Sequence, residues 1–144
     1  MEINNKGIIF LINMAKTQAI LNARFDRGLG GLSFSEFLIL YYLGKSKDKK
    51  MRRVDIANKI GLTASGVTRI LLPMEKIHLI KSGSIEDDAR VRFVQITSAG
   101  KEKLTDAMER LIFFIEEIIP SSKFKDIESL SDLLIEVGGR ALMI

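Results

Sequence analysis

Apolar side chains recur at helical spacing along most of the chain, and one stretch has short runs typical of β-strands. A period near 3.6 residues predicts amphipathic helices, whereas short β-branched runs between turn residues predict strands. The predicted helices are Ile8–Arg27, Ser33–Gly44, Val54–Ile60, Thr63–Ile77, Thr97–Ile119 and Ile127–Ala141. The predicted strands are Leu79–Ser82 and Val91–Ile96, joined by a projecting loop at Gly83–Arg90. The pattern therefore predicts a mainly α fold with a small β element.

The two helices between residues 54 and 77 form the most informative pair. Gly61 supplies a tight turn between them, Leu62 is expected to be a buried hinge residue, and Thr63 is a favoured N-cap. At 100° per residue the second helix divides into two faces. The inward face is apolar and consists of Val67, Ile70, Leu71, Met74 and Ile77. The outward face is mostly polar and consists of Ser65, Thr68, Arg69, Leu72 and Lys76.

The order of these elements is typical of a nucleic-acid reader. Two helices joined by a tight turn form a helix-turn-helix, and the strand pair that follows is placed as a wing. An apolar stripe lets the second helix rest on a core, while the opposite stripe faces a groove. The segment therefore predicts a winged helix-turn-helix.

The charge distribution agrees with that prediction. Residues 45–92 carry twelve Lys and Arg residues and six Asp and Glu residues, and their net charge of +6 exceeds the +4 of the whole chain. The basic residues therefore gather where the helix-turn-helix lies, as expected of a surface that neutralises phosphates. A solvated basic loop at Lys45–Arg53 is the alternative explanation for half of them.

Composition excludes several other classes of protein. The 144 residues suffice for one domain, and an apolar fraction of 47% is that of a globular chain. The absence of cysteine excludes disulfides and thiolate chemistry and suits a cytoplasmic location. His78 is the only histidine, so neither a metal site nor a Ser-His-Asp arrangement is expected. The apolar run Ile8–Ile12 is too short for a membrane span. We expect no cofactor and no enzymatic activity.

Two local motifs resemble the MarR (multiple antibiotic resistance regulator) family of winged-helix transcription factors. The first runs from Asp55 to Ile77 as DIANKIGLTASGVTRILLPMEKI, and the second is Asp88-Ala89-Arg90 followed by Val94, Ile96, Thr97 and Gly100. The second is similar to the family's Asp-x-Arg wing tip and the strand after it. Some positions depart from the pattern: His78 replaces a glycine, Leu72 and Pro73 replace residues that are more often polar, and Asp87 replaces a wing arginine.

The candidate DNA-binding residues come from both motifs. Arg69 can form paired hydrogen bonds with guanine or a phosphate, and a surface ion pair is its alternative role. Arg90 is expected to reach a minor groove while Asp88 braces it, unless that pair only shapes the loop. Small residues at the helix start allow close approach, and its free N–H groups favour anions. The full set is Thr63, Ala64, Ser65, Gly66, Thr68, Arg69, Asp88, Arg90 and Arg92.

The resemblance also implies an architecture and a mode of action. Residues 1–144 would form a single domain, with residues 32–97 as the DNA-binding lobe and residues 1–31 and 98–144 as dimerisation helices. A homodimer would bind a pseudo-palindromic operator in double-stranded DNA, as a cytoplasmic repressor that a small, often aromatic, effector releases. Aromatic pairs at Tyr41-Tyr42 and Phe113-Phe114 could line an effector pocket or pack in the core. A winged-helix protein-interaction module that reads no bases is the alternative function.

Overall fold

The computed structural model describes the backbone of residues 2–85 and 88–144, and the side chains of this range except those of residues 2, 84, 85 and 88–91. The chain divides into two compact units, Met1–Arg110 and Leu111–Ile144. None of the described helices is long and apolar enough to cross a membrane.

The first unit begins with two helices, α1 (Glu2–Phe25) and α2 (Phe34–Lys45). Left-handed backbone conformations at Arg27, Gly30 and Gly31 reverse the chain between them. The predicted capping box at the start of α2 is confirmed: the Glu36 N–H donates to Ser33 Oγ at 3.2 Å, and the Ser33 N–H donates to Glu36 Oε1 at 2.8 Å.

The helix-turn-helix consists of α3 (Arg53–Ile60) and α4 (Ala64–Lys76). Gly61 joins them in the left-handed conformation, with a φ of 70°. Its N–H and that of Leu62 both donate to the Ala57 carbonyl, which ends α3. The side chain of Leu62 is 42% exposed, so the prediction that it is buried was wrong: the turn carries it outward.

Three antiparallel strands form the sheet, in the order β1-β3-β2: β1 is Lys50–Arg52, β2 is Ile80–Ile85 and β3 is Asp88–Ile96. The predicted bounds of the connection, Gly83–Arg90, were wrong, because β2 continues to Ile85 and β3 begins at Asp88. Their register shifts between Ser84 and Ile85, so an irregularity interrupts the pairing without ending it.

His78 makes the connection from α4 to β2 and takes the left-handed conformation in place of glycine, with a φ of 63°. Thr97 then links this corner to α5 (Ser98–Ile118), because its hydroxyl donates to the His78 carbonyl at 2.6 Å and accepts from the Gly100 N–H at 3.0 Å. A Cβ at Gly100 would overlap the Leu79 carbonyl oxygen, so only glycine lets α5 begin this close to β2.

The core of the first unit joins α2, the helix-turn-helix and the sheet. Its most deeply buried side chains are apolar, and many belong to α2 and α4. They are Leu29, Ile39, Leu40, Leu43, Ile56, Val67, Leu71, Met74, Ile80 and Val94. This core holds α4 by one face and leaves its other face exposed.

The second unit contains the end of α5, a 3₁₀ segment at Ser121–Asp126 and α6 (Ile127–Ala141). None of the fifteen residues of α6 is buried. The helix nevertheless has an apolar stripe at Ile127, Leu130, Leu133, Leu134 and Val137. Leu130, Leu133 and Leu134 on this stripe are 53%, 43% and 47% exposed, which is unusual for the apolar side of an amphipathic helix.

Candidate nucleic-acid interface

The start of α4 presents a capped and sterically open N-terminus. The Gly66 N–H donates to Thr63 Oγ1 at 3.1 Å, and the same oxygen lies 3.2 Å from Ser65 Oγ. The first intrahelical hydrogen bond runs from the Val67 N–H to the Thr63 carbonyl, so the N–H groups of Ala64 and Ser65 precede it. Thr63, Ala64 and Ser65 are exposed. This end of α4 can therefore approach an anion closely.

The two faces of α4 are those that the sequence predicts, apart from the last turn. Val67, Leu71 and Met74 are buried, whereas Arg69 and Lys76 are exposed. Ile77, predicted to face inward, is 59% exposed, so that prediction was wrong. The helix ends at Ile77 and the chain reverses at the next residue, so its side chain leaves the apolar stripe.

Arg69 lies exposed on the outward face. It is exposed and forms no ion pair with any residue whose side chain is described, so the alternative of a surface ion pair finds no partner there. A guanidinium in this position keeps its donors for an external acceptor. Arg92, in β3, is likewise exposed, and its Cα is paired with that of Ser84.

Thr68 is already hydrogen-bonded within the lobe. Its hydroxyl donates to the Ala64 carbonyl at 3.1 Å and accepts from Arg53 Nη1 at 3.2 Å. The single hydroxyl hydrogen is therefore taken, so Thr68 would meet DNA through its methyl group or an oxygen lone pair. Sequence periodicity could not show this, because Arg53 lies fifteen residues earlier, on α3.

Arg53 is a candidate residue that the sequence analysis missed. It is half-buried, its Nε is buried with no hydrogen-bond partner among the described atoms, and only its Nη1 contact with Thr68 orients it. Its neighbour Arg52 differs: Nε and Nη2 donate to the two carboxylate oxygens of Asp55 at 2.9 and 3.2 Å. The hydrogen bond and the charge of Asp55 raise the pKa of Arg52. Of this adjacent pair, Arg53 is thus the cation without a carboxylate partner in the described part of the lobe.

The wing residues are defined only in their backbone. Asp88 and Arg90 lie in β3, near its N-terminal end, and the Cα of Asp88 is paired with that of Ile85. Their side chains lie outside the described residues, so the predicted bracing of Arg90 by Asp88 stays a prediction.

The aromatic side chains of α2 pack against one another and against lysines. Tyr41 contacts Phe37 and Tyr42, with ring centroids 5.9 and 5.5 Å apart, and Lys45 Nζ lies 5.0 Å from the Tyr41 centroid. These contacts favour packing over a pocket for the Tyr41-Tyr42 pair. In the second unit Phe113 is exposed.

An open cavity of about 360 Å³ lies between the end of α1 and the start of α2. Its lining consists of Asn22, Ala23, Asp26, Ser33, Phe34 and Ser35. The described residues contain no group of three or more His, Cys, Asp or Glu side chains that could hold a metal ion.

Similarity to known proteins is found in structure and not in sequence. No protein-family model and no curated protein matches the chain. The solved structure of Sco3205, a MarR family transcriptional regulator from Streptomyces coelicolor in complex with DNA, matches with a TM-score of 0.74 and 16% identity, over 92% of this chain and 87% of that one. The chain has the MarR fold.

Two further structures extend the likeness over nearly the whole chain. The transcriptional regulator BldR from Sulfolobus solfataricus has a TM-score of 0.86 and 24% identity, covering 97% of this chain and 99% of that one. The organohalide-sensing transcriptional regulator RdhR-CbdbA1625, in its 2,4-dichlorophenol-bound form, has a TM-score of 0.81 and 19% identity. The match covers 94% of this chain and 81% of that one. All three structures are of transcriptional regulators.

Proposed function

We propose that this chain is a MarR-family transcriptional regulator that binds a specific double-stranded DNA sequence in the cytoplasm. The observation that carries the proposal is the exposed face of α4, where Arg69 projects from a helix that the core fixes by its opposite side. The helix N-terminus, with Ala64 and Ser65, adds unpaired N–H groups. Arg69 and the N–H groups favour an anionic partner, and the exposed helix face favours a partner with a groove about as wide as a helix.

The flanking residues support phosphate contacts around that groove. Arg53 lies beside α4 without a carboxylate partner among the described residues. Arg92 is exposed on β3, one of the two wing strands. Arg90 is proposed to enter a minor groove, where the negative potential attracts arginine. Contacts with phosphate fix the protein on the duplex, while Arg69 and its neighbours on α4 contact the base edges.

A salt titration of duplex binding distinguishes this function from a protein-interaction module. With Arg53, Arg90 and Arg92 in each lobe and two lobes per duplex, about six phosphates are neutralised. Affinity should therefore fall roughly 10³-fold between about 50 and 200 mM salt. A duplex of scrambled sequence is the control, and it should bind more weakly throughout. Binding that is independent of salt, or no binding to any duplex, would favour the interaction module.

We infer that the active form is a homodimer in which a second copy covers two apolar surfaces. One surface is on α1, and its exposed large apolar residues are Ile3, Ile8, Ile9, Phe10, Leu11, Ile12 and Ile20. The other belongs to the second unit, and its residues include Ile112, Phe113, Ile118, Phe124, Leu130, Leu133 and Leu134. A monomer in water rarely exposes so much contiguous apolar side chain. Two-fold symmetry of the dimer implies a pseudo-palindromic operator.

The regulator is further proposed to act as a repressor that a small aromatic effector releases. The cavity between α1 and α2 has the size of a small-ligand site, with the Phe34 ring for stacking and the Asp26 carboxylate as an acceptor for a phenolic hydroxyl. The test adds a simple phenol to the protein bound to DNA. If phenol releases DNA from wild type and releases less of it from Asp26→Asn, the result supports this site. If phenol releases DNA equally from both proteins, the effector binds elsewhere.

A further inference from the structure

One residue on the outward face of α4 is apolar. Leu72 is 56% exposed, although its neighbour Leu71 is buried in the core. At 100° per residue, Leu72 lies within about 60° of Ser65, Arg69 and Lys76 around the helix axis. It therefore lies in the middle of the surface proposed to face DNA.

The core gives no reason for a leucine at this position. The inward stripe of α4 is complete without it, because Val67, Leu71 and Met74 already fill the contact with the core. An exposed leucine gains the free energy of burial only when a partner covers it. Basic side chains flank it at Arg69 and Lys76, so an anionic surface is favoured over a second copy of this chain.

The major groove offers one apolar group to such a side chain. Base edges there present hydrogen-bond donors and acceptors, and thymine adds its C5 methyl group. Leu72 lies about 10 Å along α4 from Ser65, at 1.5 Å per residue. This distance corresponds to about three base pairs if the helix follows the groove, so Leu72 would contact a different base pair from Ser65.

We propose that Leu72 is a specificity-determining residue that packs against a thymine methyl group in each half-site. The proposal rests on the proposed function, since it needs duplex DNA as the partner. It adds a base preference that hydrogen bonding does not supply, because methyl recognition distinguishes thymine from uracil at an unchanged base pair.

The test removes the methyl group and the leucine side chain in turn. Duplexes carrying the best sequence selected from random DNA are prepared with deoxyuridine at one thymine position at a time, which keeps base pairing intact. For wild type, deoxyuridine at one thymine position in one half-site should weaken binding about fourfold, since one buried methyl group is lost. The same change in both half-sites should weaken binding about fifteenfold. Leu72→Ala should weaken binding to the thymine duplex, and the same deoxyuridine should then have no further effect.

Ile77→Ala is the matched control. Ile77 is about as exposed as Leu72, but it follows the last residue of α4 and does not lie on the outward face, so its loss should leave the thymine preference intact. Leu72→Met should retain part of the preference, because the longer side chain still reaches an apolar group.

Three results would overturn the proposal: no thymine sensitive to methyl removal, unchanged sensitivity in Leu72→Ala, or loss of the dimer in that variant by sedimentation. The last would assign Leu72 to a contact between protein chains. Failure of the proposed function itself looks different, because wild type would then select no duplex at all.

Discussion

Arg52 and Arg53 are adjacent in sequence and carry the same charge, yet their surroundings differ. Asp55 holds Arg52 through two hydrogen bonds, whereas Arg53 is oriented by the Thr68 hydroxyl and has no carboxylate in contact among the described residues. A cation that is already paired gains less from a phosphate than one that is not, because the pair must be weakened first. Local surroundings therefore separate the two arginines where composition cannot.

Arg53→Ala should weaken duplex binding about tenfold per lobe, or about a hundredfold when both lobes are bound, and reduce the salt dependence by about one counterion per lobe, since a charge-assisted hydrogen bond contributes about 1.5 kcal/mol. Arg52→Ala is the matched control and should have a clearly smaller effect. The measurement is affinity as a function of salt for both variants. An equal loss in the two would show that the contact with Thr68 does not single out Arg53.

Thr68→Val tests the orienting contact without removing a charge. The variant keeps the shape of the side chain but removes the hydroxyl that accepts from Arg53 Nη1. Affinity should fall by severalfold while the slope against salt is retained, because the cation is still present but less well placed. A salt slope that falls as far as in Arg53→Ala would contradict an orienting role.

At the scale of elements, helical periodicity predicted far more than strand patterns did. The stripe of α4 follows from local spacing, and Ser33 and Thr63 cap their helices through neighbours three residues away. By contrast β1 was missed, because Lys50–Arg52 has a single apolar residue and becomes a strand only by pairing with residues 93–95. Contacts that join distant segments, such as that of Arg53 with Thr68, leave no periodic signal.

Helix α6 is the element whose packing has a direct test. Its apolar stripe includes Leu134, whereas Ile135 is the more exposed of the two and points to the other side of the helix. Leu134→Glu should abolish the dimer, because burying an unpaired carboxylate at each of two symmetric positions costs several kcal/mol. Ile135→Glu should leave the dimer intact.

Sedimentation at several protein concentrations gives the answer for both variants. Leu134→Glu should also lose affinity for a two-half-site duplex while it keeps weak binding to a single half-site, since each lobe remains folded. A stable dimer in Leu134→Glu would place the interface elsewhere than on the stripe of α6.

For the whole molecule, the sequence predicted the fold class, the order of the helices and the helix-turn-helix, and the structural matches agree with all three. What it could not predict is the detailed extent of the wing strands, the exposure of Leu62 and Ile77, and the occupied hydroxyl of Thr68. Each of these depends on where the chain turns in space and not on the spacing of apolar residues.

We propose that α4 reads base pairs as part of a symmetric dimer. The most direct test of this proposal is selection of bound sequences from random duplex DNA, carried out in parallel with wild type and Arg69→Ala. Wild type should enrich two inverted half-sites about one helical turn apart. Arg69→Ala should keep this symmetry, lose the preference at one base pair per half-site, and bind the original sequence about 1–3 kcal/mol more weakly. Enrichment of no motif by wild type, or of the same motif by both proteins, would contradict base reading by Arg69 on α4.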